Sequence, residues 1–192
     1  RGSRPGPVGA AIKKDLPYRT VDDLRNPKNR LFFAGSTAGS TANDYPQILK
    51  HYGKLNIKVI PGYRGSSAAI GAIQRGEANA RSGSMQSLSR WSAVLRVAIG
   101  PKRGRRLVPE ILVDSEIVRS KEGHQLIDAL QGPQQIGRGI AAPPNFPQEG
   151  IEILRSAWAN LSRDPKFLKE AKRGLLVDPE DLKGAKEIKR VI

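Results

Sequence analysis

The fold is decided by RLFFAGSTAGSTANDYPQILKHYGKLNIKVIPGYRGSSAAIGAIQRGEANARSGSMQS, residues 30–87. Arg30–Ala34 is a short apolar run closed by glycine, which reads as a buried strand. A polar loop follows, Gly35–Ala42. Tyr45, Ile48, Leu49 and Tyr52 then recur at i, i+3, i+4 and i+7, one face of a helix. Proline is tolerated only in a helix's first turn, so Pro46 puts the cap near Asn43, and Gly53 ends the helix. Ile57–Ile60 is a second strand, and Pro61–Gly65 a turn. Ser66 or Ser67 caps a helix carrying Ala69, Ile70 and Ile73 and stopped by Gly76. Glu77–Ser84 is short and polar, yet its place in the alternation makes it a third strand. Strand, helix, strand, helix, strand describes a parallel sheet covered by helices with right-handed crossovers.

Working outward, Thr20 caps a short helix, Val21–Arg25, with Asp23 as its capping-box partner. Residues 1–19 begin rich in Gly, Pro and Arg, carry no apolar signal-peptide middle, and read as an irregular segment. Beyond Trp91, Val94–Ile99 and Ile136–Ala142 are strand-like, Gly100–Arg106 is a loop and Gly123–Leu130 a helix. Pro143, Pro144 and Pro147 force an extended stretch. A helix follows with Ile151, Leu154, Trp158 and Leu161 on its apolar face. Asp164-Pro165 starts another, and Pro179–Ile192 reads as a last one. The expected organisation is an irregular segment 1–19, an α/β ligand-binding lobe 20–142, and a Pro-rich connection with C-terminal helices 143–192.

Composition narrows the function. With 38% apolar and 27% charged residues, the 192-residue chain suits a globular fold, and no apolar run approaches the ~20 residues of a membrane span. There is no cysteine, which removes thiol catalysis and cysteine-held metals. The two histidines, His51 and His124, fall on separate helices, with no HExxH pattern, so neither a metal nor another cofactor is expected. The glycine-rich loop lacks the Gly-Lys-Ser/Thr ending of a P-loop, and Ser84 lacks a nucleophile elbow. An enzyme therefore ranks last. The net charge of +15 suits anionic solutes or nucleic acid, but aromatic residues are only 5%, so stacking platforms for single strands are scarce and nucleic acid is not favoured.

Open parallel sheets bind ligands beyond the carboxyl ends of their strands. Three loops stand there: Gly35–Ala42, Pro61–Ser67 and Gly83–Ser87. Each is rich in Gly, Ser or Thr and leads into a helix, whose first N–H groups favour an anion. The same residues also serve as ordinary turns and caps; three such loops together argue for a carboxylate pocket.

Five segments in series resemble one family: PYRTVDDLRN (17–26), GSTAGSTANDYPQILKHYG (35–53), IKVIPGYRGSSAAIGAIQRGEAN (57–79), APPNFPQEGIEILRSAW (142–158) and DPKFLKEAKRGLLVDP (164–179). The resemblance is to the tripartite tricarboxylate transporter substrate-binding proteins, the Bug family of extracytoplasmic receptors. It implies a type II periplasmic-binding-protein-like α/β fold: one lobe with a parallel-rich sheet flanked by helices, plus a C-terminal helical segment. The family's opening part would precede this stretch. It also implies a small organic anion as ligand, a di- or tricarboxylate or related acid, membrane permease components as partners, and a periplasmic location. Ligand contacts then fall on Ser36, Thr37, Gly39, Ser40, Thr41, Tyr63, Arg64, Gly65 and Ser66, with Ser84 a cleft candidate. This sequence departs from the family where an acidic GEVDG becomes Glu77-Ala78-Asn79-Ala80 followed by Arg81, where PPGVP becomes PPNFP (143–147), and in its basicity. The alternative is a cytoplasmic regulatory or nucleic-acid-binding α/β domain using its basic surface.

Overall fold

A computed structural model describes residues 6–133 and 142–171. They fall into two compact units, one of Gly6–Gln131 and one from Gly132 onward. The first unit therefore closes at Gln131 rather than at the expected Ala142. Gln131 fastens that end of the chain by bonding both backbone groups of Val8, taking its N–H at 3.0 Å and giving to its carbonyl at 2.9 Å.

The first unit is a six-stranded sheet in the order β3-β2-β4-β1-β5-β6. The strands are β1 (Val8–Lys13), β2 (Leu31–Ala34), β3 (Ile57–Ile60), β4 (Ala80–Ser84), β5 (Leu95–Gly100) and β6 (Leu112–Val113). β2 is parallel to β3 and β4, β5 is parallel to β6, and β1 is antiparallel to both β4 and β5. Five strands thus point one way, and β1 alone runs against them.

The expectation of an irregular segment over 1–19 needs correction, because Val8–Lys13 forms the strand joining the two parallel halves. Small residues stand at its middle, and at Gly9 the neighbouring strand leaves no room for a side chain. A Cβ on Gly9 would stand 2.8 Å from the Ile99 carbonyl oxygen, and Ala10 and Ala11 are fully buried. Val8, Ala10 and Ile12 share one face and Ala11 the other, the period of two expected of a strand.

Helices cover both faces. On one lie α1 (Val21–Arg25), α2 (Thr41–Gly53), α5 (Asp114–Ile117) and α6 (Lys121–Gln131), around Leu31, Phe33, Tyr45 and Leu49. On the other lie α3 (Gly65–Gln74) and α4 (Met85–Ser89), around Ala34, Ile70, Ile73, Met85 and Leu88. The α1 capping box forms as read, with Asp23 N–H to Thr20 Oγ1 at 3.1 Å and Thr20 N–H to Asp23 Oδ2 at 2.8 Å.

Two helix limits differ from the sequence reading. α2 begins at Thr41 with Ser40 at its cap, so Pro46 lies inside the helix rather than in its first turn. Pro46 offers no amide to the Ala42 carbonyl. Beside that gap the Ser82 hydroxyl donates to the Thr41 carbonyl at 2.9 Å, giving this stretch of helix a bond from the sheet. At the other end the left-handed residue is Lys54 (φ 58°), while Gly53 stays helical. Gly53 serves packing there, since a Cβ would come within 2.8 Å of Ile117 Cγ2.

In the second unit, α7 (Gln148–Leu161) and α8 (Pro165–Glu170) appear where expected, and Asp164 caps α8 through Phe167 N–H at 2.8 Å. The apolar face of α7 is not buried: Leu154 and Leu161 are exposed, and no α7 residue is buried. Periodicity identifies a face but not what covers it. The helix expected at 179–192 lies outside the described residues, as does the strand expected at 136–142 except for Ala142.

Candidate functional site: the carboxyl edge of the sheet

Because β3, β2 and β4 are neighbours and parallel, their carboxyl ends share one edge. The loops 35–40 and 61–64 and residue Ser84 therefore meet there. Two backbone bonds tie the first two loops together: Gly35 N–H to the Ile60 carbonyl at 2.8 Å, and Tyr63 N–H to the Gly35 carbonyl at 3.0 Å. Glycine is needed at 35, where a Cβ would sit 2.6 Å from Val59 Cγ1.

The three helix starts are not alike. At α2 the Ser40 hydroxyl turns back to donate to the Thr37 carbonyl at 2.6 Å, so no side chain caps the helix. Gly39 holds φ 80° and gives its N–H to Asp44 Oδ1 at 3.3 Å. Thr37 and Gly39 are exposed, and Ser36, Ser40 and Thr41 half-buried. At α3 the cap position is Arg64, not Ser66 or Ser67, and again no side chain caps the helix. Gly65 adopts φ 78°, a left-handed conformation that glycine takes without strain, and this turns the chain into the helix with its first amides uncapped by any side chain. α4 is closed by the protein itself. Ser84 Oγ accepts the Ser87 N–H at 3.2 Å, and the Met85 N–H is taken by the Pro7 carbonyl at 2.8 Å.

The expected site residues accordingly separate. Ser36, Thr37, Gly39, Ser40, Thr41, Arg64, Gly65 and Ser66 line the two open starts, with Arg64 exposed to solvent. The Ser84 hydroxyl is committed to its own helix. Tyr63 points its hydroxyl elsewhere, to Glu77 Oε2 at 3.1 Å, and Arg75 Nε clamps Glu77 Oε1 at 2.6 Å. Those bonds hold the Glu77 carboxyl below its ordinary pKa, Arg75's first and Tyr63's next.

Sequence reading missed a participant. Arg81 on β4 is 6% exposed, and its Nη2 reaches Ser66 Oγ in the first turn of α3 at 3.0 Å. Its Nε and Nη1 are buried with no hydrogen-bond partner. Desolvation lowers its pKa. The signal lay in EANARSGS: a strand with helices on both faces leaves even its one arginine inside.

Strand direction adds the basic turn to this edge. β5 runs with β4, so the 3-10 turn Lys102–Arg106 that follows it projects at the same end. Lys102, Arg103, Arg105 and Arg106 are exposed there, and Arg105 pairs loosely with Glu116 at 3.7 Å. These cations share the end of the sheet with the two uncapped helix starts, three and four strands away from them in the sheet order. His51 is exposed on α2, whereas the His124 ring meets the carbonyls of Val118 and Ser115. Among the described residues no three His, Cys, Asp or Glu side chains gather as a metal site, and no helix is long and apolar enough to cross a membrane.

No protein-family model and no curated protein matches the chain. Solved structures do. Rpa4515 of R. palustris, solved with adipate, matches 99% of this chain with a TM-score of 0.58 at 17% identity. A TctC solute-binding protein from Polaromonas, solved without ligand, matches 97% with a TM-score of 0.51 at 14% identity. The fold is that of the TctC-type solute-binding proteins. The chain spans 63% and 64% of the length of those two proteins.

Proposed function

We propose that this chain is a ligand-binding lobe of a periplasmic solute-binding protein, which captures a small organic carboxylate and presents it to the permease of a tripartite tricarboxylate-type transporter. One observation carries the reading: at a single sheet edge, two helices of 13 and 10 residues begin without side-chain caps, behind a Gly/Ser/Thr loop and a Pro-Gly turn bonded to each other. Uncapped amides and the helix dipole hold negative charge, and glycines let a ligand approach the backbone. The adipate in the R. palustris structure is of the same ligand class. Capture needs no acid, base or nucleophile, only donors fixed before the ligand arrives. The basic turn raises the local concentration of anions at the edge.

A thermal-shift screen with mono-, di- and tricarboxylates tests this. At least one acid should raise the melting midpoint in a saturable way, while its neutral amide does not. A protein stabilised by none of them is not a carboxylate receptor. Salt-resistant binding to duplex DNA by the same chain would transfer the basic turn to the nucleic-acid reading instead.

A further inference from the structure

Arg81 is the one buried cation among the described residues; Arg96, whose Nε also lacks a partner, is only half-buried and bonds the Tyr18 carbonyl. A guanidinium carries five N–H donors and cannot be neutralised at ordinary pH. Here Nη2 has the Ser66 hydroxyl, whereas Nε and Nη1 have nothing, and no salt bridge among the described residues includes Arg81. Its root is the second residue of β4, and its head reaches the first turn of α3. It runs past Gly83, where a Cβ would lie only 3.4 Å from Nη2. The side chain therefore lies along the sheet beneath α3, with its charged end just under the carboxyl edge. Leaving a buried cation unpaired costs several kcal/mol in general, so such a group persists where a bound anion compensates it.

We propose that Arg81 is the specificity-determining cation of this edge: its guanidinium and the uncapped first turn of α3 together receive one carboxylate group of the ligand, with Ser66 holding the guanidinium in place. The assignment rests on reading this edge as the ligand site. It makes a full negative charge on the ligand the selected feature, since a neutral amide of the same shape would leave the guanidinium unpaired. The planar fork suits the two oxygens of a carboxylate.

The test uses the whole chain with adipate and adipamide as probes, comparing wild type with R81M by calorimetric titration and melting midpoint. Wild type should bind adipate and discriminate against adipamide. R81M should bind adipate at least tenfold more weakly, lose most of that discrimination, and melt no lower than wild type without ligand. R81Q gives the same comparison if R81M does not fold. Adipate binding within twofold of wild type in the folded variant overturns the Arg81 assignment and leaves the receptor reading standing. A ligand-free midpoint that drops sharply in both variants, with adipate affinity kept, makes Arg81 structural. A wild type that binds neither adipate nor any other carboxylate overturns both readings.

Discussion

Among the described residues the two faces of the sheet each bury one charged side chain, and they treat it in opposite ways. On the α2 face Asp114 is 1% exposed and well served: the Tyr45 hydroxyl donates to Oδ2 at 2.9 Å, the Ser115 N–H donates to Oδ1 at 2.8 Å, and the Gln131 side chain favours its charged form. On the α3 face Arg81 is nearly as buried and has one partner, a serine hydroxyl. Satisfied buried charge holds elements together; here it joins α2, α5 and α6. Unsatisfied buried charge contributes little to holding a fold and is more informative about what the fold is for.

The contrast can be broken by mutation. D114A should have the largest effect, about 3 kcal/mol of lost stability, because it strands the buried Tyr45 hydroxyl and the Ser115 amide. Urea unfolding measures it, and an equal loss in ligand-free R81M would erase the distinction between the faces. Y45F removes one donor from a carboxylate that keeps others, so about 1.5 kcal/mol is expected by the same method. S82A tests the sheet's bond to α2 at the Thr41 carbonyl and should cost about 1 kcal/mol, leaving α3 untouched.

The subtlest signature is in pH. Burial is the main influence on the Asp114 carboxyl and holds its pKa above the ordinary aspartate value, although its hydrogen bonds pull the other way. The folded state then binds this proton more tightly than the unfolded chain. Stability from this group is fully present below the unfolded pKa and is lost as pH rises through the raised native one. D114N should flatten that slope in denaturant midpoints measured across the acid range, and R81M should leave it unchanged.

Much of this was legible in the sequence because the decisive residues have one dominant behaviour. RLFFA and IKVI are short apolar runs closed by Gly or Pro, and they became β2 and β3 within a residue of where they were read. Thr20 with Asp23 and Asp164 with Pro165 mark helix starts through backbone chemistry that no tertiary contact overrides. What stayed hidden depended on neighbours far along the chain. Val8–Lys13 gives a weak strand signal because its middle is Gly-Ala-Ala, and the close approach of β5 that asks for glycine at position 9 is reported by nothing local. Ser84 could have faced a ligand or capped its own helix, and only coordinates separate the two. Arg81 looks like any surface cation until the helix lying over it is seen.

The lone reversed strand has a consequence for assembly. β1 pairs with strands far along the chain: Val8 faces Ser84, and Lys13 faces Leu95. The trio β3-β2-β4 and the pair β5-β6 touch through nothing else in the sheet. Neither group can dock until β1 is wedged between them. Maturation of this unit should thus be a single late closure, slow for its size, in which the six residues of β1 decide whether two half-built sheets become one.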